Sequence, residues 1–205
     1  MKIFGLGFSR TGTTTLNETL NDMGYKVRHY PRPKSAIELA ALKGGSINSQ
    51  EPNTQYDGAT DIPVIPFWKD VDKILSGNAK YIYTLRDKEE WLTRIEKYFE
   101  EKRNVSHLLG YEEIMRKTVY GDVFFDRKKY EQAWDRHDKE VREYCKNRPN
   151  DFLILDILGG SDKPKKLYDF LEHDNPPEEF SHWNKKTSWQ ILKNIIIYRH
   201  NESTC

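Results

Sequence analysis

Residues 7–15, Gly7-Phe8-Ser9-Arg10-Thr11-Gly12-Thr13-Thr14-Thr15, lie between the apolar run 3–8 and a segment patterned as a helix. They constrain the chain more than any other stretch of it. A strand that ends in a glycine-bounded, hydroxyl-rich turn and then enters a helix aims several backbone N–H groups at an anion. Gly12 permits the tight backbone path, and the hydroxyls of Thr13, Thr14 and Thr15 add donors. One helix end contributes only about 0.3–2 kcal/mol per charge. A multiply charged ligand therefore needs the amides, the hydroxyls and a cation together, and Arg10 supplies the cation. Ser and Thr in such a turn can also simply cap the helix; the order strand, loop, helix favours the anion site.

The rest of the chain is patterned as an alternation of strands and helices. Strands are expected at residues 3–8, 25–29, 59–61, 81–85 and 152–157, and helices at 13–23, 35–42, 64–75, 87–102, 127–146 and 165–171. Gly24 is the natural stop of the first helix. Residues 44–56 are polar and irregular, so a surface loop that could border a site is expected there. On the helix at 127–146, the stripe Tyr130, Trp134, His137, Val141 and Tyr144 has the spacing of a packing face and is read as core, not as a cofactor box. Strands alternating with helices imply a parallel sheet covered on both faces, and 205 residues suffice for one domain, 1–205.

Charge narrows the partners. The 33 basic and 32 acidic side chains nearly cancel, so neither nucleic acid nor an anionic membrane is favoured and any anion site must be local. No stretch approaches the roughly 20 apolar residues that membrane insertion requires. Glycines and the polar loop interrupt the first apolar run too early for a secretory signal. The two cysteines, Cys145 and Cys205, form no disulfide framework or thiolate metal site, so the reducing cytoplasm is the expected location. The Asn-x-Ser/Thr patterns at Asn17, Asn104 and Asn201 carry no weight in such a protein. The six histidines are scattered, and no metal is expected.

Gly7 and Gly12 keep the spacing of the nucleotide-triphosphatase pattern G-x-x-x-x-G-K-[ST], but Thr13 stands where the lysine belongs. The side chain that would reach the β- and γ-phosphates is missing. In this respect the chain resembles the sulfotransferase superfamily, whose first strand is followed by [K/R]-[S/T]-G-T-T; Arg10-Thr11-Gly12-Thr13-Thr14 matches it at every position. The resemblance implies a three-layer P-loop-type α/β fold with a central parallel sheet flanked by helices. It also implies 3′-phosphoadenosine-5′-phosphosulfate (PAPS) as co-substrate, held by Ser9, Arg10, Thr11, Gly12, Thr13, Thr14 and Thr15. A second match is Tyr81-Ile82-Tyr83-Thr84-Leu85-Arg86-Asp87. In relatives an arginine ending a mid-chain strand, with a serine eight positions later, holds the 3′-phosphate. Arg86 fits, and Arg94 replaces the serine as a second cation or as an exposed helix arginine. Segments 124–126, 152–157 and 176–184 also look like compact microbial sulfotransferases. Lys185 and Lys186 could close over the nucleotide or stand as solvated charges.

The chemistry implied is in-line transfer of a sulfuryl group from PAPS to a hydroxyl (or amine) of a small-molecule or carbohydrate acceptor. Arg10 would stabilise charge on the bridging oxygen, electrostatically and without giving up a proton. The acceptor proton needs a base. Asp61, after the short third strand, is the first candidate, though it could equally cap the following helix; His29, ending the second strand, is the runner-up. An ATP-dependent kinase and a non-catalytic nucleotide-binding module remain as alternative readings.

Overall fold

The computed structural model describes residues 1–33, 38, 56–101, 110–157 and 163–180. Among these, β1 (Lys2–Gly5), α1 (Thr13–Asp22), β2 (Val27–His29), β3 (Gly58–Thr60), α2 (Trp68–Leu75) and β4 (Ala79–Thr84) form the first part of the fold. The helices α3 (Lys88–Glu101), α4 (Tyr111–Tyr120) and α5 (Arg127–Cys145) follow in succession, then β5 (Phe152–Leu155) and α6 (Lys163–Phe170). The strands form one sheet in the order β2-β3-β1-β4-β5, parallel throughout, with Ile3 beside Gly58, Phe4 beside Tyr81 and Tyr83 beside Ile154. This is the expected α/β architecture.

Strand alternation divides the core into two layers. Phe4, Tyr81, Tyr83 and Phe152 face one way, against Trp68 and Val71 of α2 and Val141 of α5. Ile3, Ile82 and Leu155 face the other, against Leu16 and Leu20 of α1 and Leu167 and Tyr168 of α6. From β1 the chain passes to β2 on one side, and after β3 it crosses to β4 on the other. The carboxyl end of β1 is therefore the point where the connections diverge, and there a crevice opens in parallel α/β sheets. No helix among the described residues is long and apolar enough to cross a membrane.

Several boundaries differ from expectation for local reasons. The second strand begins at Val27, because Gly24, at φ 93°, turns the chain so that the Tyr25 amide still closes on Leu20 of α1. The helix expected over 64–75 starts only at Trp68; Val64, Ile65 and Phe67 instead close successive tight turns onto Asp61, Ile62 and Val64. Pro66, without an N–H, cannot extend a helix through this stretch. Helix α4 was not expected. It is bounded by Gly110 and Gly121, both at φ 82°, and its buried face of Met115, Val119 and Tyr120 is interrupted by a buried arginine, Arg116. The last strand stops at Leu155 and the last helix runs from Lys163. On α5, Tyr130, Trp134, His137 and Val141 are buried as a core stripe should be, and Tyr144 partly so. The expected helix at 35–42, nearly all of the loop at 44–56, and Lys185 with Lys186 lie outside the described residues.

One ion pair fixes α2 to the approach to β5. Asp72 accepts both terminal nitrogens of Arg148, at 2.5 and 3.0 Å, and the Tyr144 hydroxyl at 2.7 Å. Burial opposes the charge on Asp72, but the bonds from Arg148 and Tyr144 outweigh it and hold its carboxyl below the ordinary carboxylate range. Stability from this group is full above the unfolded-state pKa of about 4 and is lost as pH falls through the lower folded value. Asp72→Asn is expected to cost roughly 2 kcal/mol at pH 7, about 4–8 °C in Tm. In thermal melts across pH, the gap between wild type and variant should narrow below about pH 4.

Candidate active site

Leu6 leaves β1 with its amide bonded to the Ile82 carbonyl of β4, at 2.8 Å, so the loop starts against the neighbouring strand. Gly7 then passes so close to β4 that a Cβ would lie 1.8 Å from Thr84 Oγ1 and 2.9 Å from the Thr84 carbonyl. Only glycine permits that approach. It lets Thr11 Oγ1 donate to the Phe8 carbonyl at 2.7 Å while sitting 2.8 Å from Thr84 Oγ1. Phe8, fully buried, is enclosed by the rings of Trp91, Tyr120, Trp134 and His137, with centroids 4.9–5.8 Å away. Two ring N–H groups hold the backbone on either side: His137 Nε2 donates to Leu6 O at 2.8 Å and Trp91 Nε1 to Ser9 O at 2.9 Å. Burial lowers the His137 pKa, which keeps the imidazole neutral with its proton on Nε2.

Arg10 and Gly12 take left-handed backbone angles, φ 75° and 97°. Gly12 is the N-cap of α1 and offers no side chain to its first amides. The first N–H groups of a helix lack partners within it, and with the positive end of the helix dipole they suit an anion.

Asp61 follows β3 at φ 82° and is buried. Its Oδ1 accepts from Ser9 Oγ at 2.5 Å and from the Ile62 amide at 2.6 Å, and its Oδ2 from Thr13 Oγ1 at 2.6 Å. His29, at the end of β2, lies beside it. Nε2 is 3.2 Å from Thr14 Oγ1 and 3.7 Å from Asp61 Oδ2, while Nδ1 is 3.2 Å from Thr60 Oγ1. Adjacent parallel strands β1, β2 and β3 thus bring Ser9, Thr13, Thr14, His29 and Asp61 into one network. Thr15 is buried on the first turn of α1. The buried phenol of Tyr120 is pushed well above its usual pKa, first by burial and then by the Asp61 charge, and stays protonated.

The cations stand apart from that network. The Arg10 guanidinium rests over the Tyr98 ring of α3, 4.4 Å from its centroid. Arg86, at the end of β4, has its side chain only 9% exposed and pairs through Nη1 with Glu90 at 2.7 Å. Arg94, more than half exposed, reaches the same Glu90 oxygen at 2.9 Å. Sequence reasoning missed Glu90, Tyr98, Tyr120 and Thr84. None carries a motif of its own; only the i, i+4 spacing of Arg86, Glu90 and Arg94 was there to be read.

Against known families, the one described as Sulfotransferase domain matches residues 2–189, a span that holds the loop, His29, Asp61, Arg86 and Arg94. The chain belongs to this family. No curated protein matches it. Sulfuryl transfer is the chemistry that the match supports, and this sulfotransferase domain sets its Gly7–Thr15 loop at the carboxyl end of the central strand.

The approach of Gly7 to Thr84 is testable as a pair. Gly7→Ala is expected to destabilise the protein by about 1–3 kcal/mol through overpacking. Adding Thr84→Ala removes the 1.8 Å contact but leaves Thr11 Oγ1 at 2.5 Å and the Thr84 carbonyl at 2.9 Å, so denaturant melts of the double variant should recover only part of that loss.

Proposed function

We propose that this protein transfers the sulfuryl group of PAPS to a hydroxyl (or amine) of a small-molecule or carbohydrate acceptor, on a single domain. The observation that carries the reading is the start of α1: no side chain caps it, and the residue at the lysine position of a nucleotide-triphosphatase loop, Thr13, is committed to Asp61. The loop offers amides to an anion but lacks the lysine that would reach a γ-phosphate. Arg86 supports the same reading, because its buried Nε has no hydrogen-bond partner among the described residues. A buried guanidinium N–H of that kind calls for an acceptor such as a nucleotide phosphate.

In this reading the amides of Gly12 to Thr14 and the Thr14 hydroxyl hold the phosphosulfate, and Ser9, Thr11, Thr13 and Thr15 keep the loop in shape. Arg86 and Arg94 face the 3′-phosphate. PAPS supplies an activated sulfuryl group whose bond to the 5′-phosphate breaks as the acceptor oxygen bonds to sulfur. Arg10, held at the rim by Tyr98, balances the charge left on the bridging oxygen. The hydrogen bonds favour His29 over Asp61 as proton acceptor. Both Asp61 oxygens already receive donors, whereas His29 is about one-third exposed and faces the Thr14 hydroxyl. His29 Nε2 takes the acceptor's proton, and Asp61 positions the loop.

Calorimetric titration tests this. Adenosine 3′,5′-bisphosphate without metal should bind more tightly than ATP with magnesium. Arg86→Ala should weaken the bisphosphate by about 10- to 100-fold, as loss of charge-assisted bonds does. His29→Ala should leave that affinity unchanged and abolish turnover in an acceptor screen, whereas Asp61→Asn should lower both. Preference for ATP would overturn the reading in favour of a kinase; tight bisphosphate binding with no turnover on any acceptor would favour a binding module.

A further inference from the structure

Arg86 and Arg94 do not stand open. One oxygen of Glu90 receives Arg86 Nη1 at 2.7 Å together with Arg94 Nε and Nη2, each at 2.9 Å. Glu90 sits on the first turn of α3, at the positive end of that helix, with its own amide held by Asp87 Oδ1 at 2.9 Å. One carboxylate charge thus answers two guanidinium charges where a dianion would answer both.

The three partners differ in how firmly they are held. Arg86 is fixed: its side chain is nine-tenths buried, and the backbone amide before it, that of Leu85, bonds to Leu155 O of β5 at 2.9 Å. Glu90 and Arg94 are about half exposed, so either can turn into water at small cost, and half-exposed ion pairs are weak. The bond pattern is also incomplete. A single carboxylate oxygen on Nη1 leaves the buried Nε of Arg86 without a partner among the described residues, whereas a phosphate presents enough oxygens to take Nε and a terminal nitrogen side by side.

We propose that Glu90 is a specificity-determining residue of the nucleotide site: an internal counter-anion that a 3′-phosphate must displace from Arg86 and Arg94. The inference rests on the reading of these arginines as the 3′-phosphate contacts. Glu90 competes only with ligands that bring a phosphate to this position. It lowers affinity for the 3′-phosphorylated nucleotide, product included, and has little effect on a nucleotide that lacks that group.

The test is calorimetric titration of wild type, Glu90→Gln and Glu90→Ala with two probes, adenosine 3′,5′-bisphosphate and adenosine 5′-monophosphate. Both variants change a half-exposed side chain, and thermal melts verify that they are folded. Each is expected to bind the bisphosphate about fivefold more tightly or better, with the monophosphate changed by less than about twofold. If wild type prefers the bisphosphate but the variants bind it equally well or more weakly, Glu90 is not a competitor and this inference fails alone. Equal tightening toward both probes would mean a general charge effect and also overturns it. If wild type binds the bisphosphate no better than the monophosphate, the assignment of Arg86 and Arg94 fails and takes the inference with it.

Discussion

The carboxylate of Asp61 collects the Ser9 hydroxyl, the Thr13 hydroxyl and the Ile62 amide, and the form of the Gly7–Thr15 loop depends on that gathering. Ser9 precedes the sharpest part of the loop and Thr13 follows it. One rigid acceptor from β3 thus pins both shoulders of a turn built from β1 and α1. The left-handed backbone at Arg10, Gly12 and Asp61 is held in place by these bonds. The donors on Asp61 include the Thr13 hydroxyl, at the position of the missing lysine, so the carboxylate that shapes the loop also engages that side chain.

A second constraint acts from the opposite side. Phe8 is driven into the aromatic cluster of α3, α4 and α5, and Trp91 and His137 use their ring N–H groups to hold the Ser9 and Leu6 carbonyls. Aromatic burial supplies the attraction and the N–H bonds supply the register. The loop is thus held between a polar brace on β3 and an apolar socket on the long helices. The amides at the start of α1 have no side-chain cap among the described residues, and donors fixed in advance need little reorganisation to meet a charge.

Much of this was legible in the sequence, and the limits have physical causes. The loop could be read because its residue types follow from backbone geometry: a glycine under Thr84, a glycine opening α1, hydroxyls that donate locally. The strands of the two-layer core could be read as short apolar runs, because a parallel sheet covered on both faces buries successive side chains. Helix α4 could not, since Arg116 interrupts its buried face and is stabilised there by tertiary partners on α3, the Phe99 ring at 4.6 Å and the Tyr98 hydroxyl at 3.3 Å, beside the local Glu112 carboxylate one turn away. The role of Asp61 was ambiguous for a similar reason. A carboxylate after a short strand can cap, brace or take a proton, and which it does depends on donors 48 and 52 residues away in the chain.

The distribution of charge follows from the near-zero net charge. In a chain with 33 basic and 32 acidic side chains no general field concentrates anions, so the work falls to individual cations, and Arg10, Arg86, Arg94 and Arg116 each have an internal partner. Arg10 rests on an aromatic face, Arg86 and Arg94 share Glu90, and Arg116 takes Glu112. Such partners keep the arginines oriented and lower the desolvation penalty of holding them near a core. They also set the condition for binding: an incoming anion gains only the difference between its own bonds and those it replaces. Of the two arginines that share Glu90, that difference is larger at Arg86, which is the more buried and whose pairing among the described residues is less complete, and smaller at Arg94, where water stands ready to take either partner.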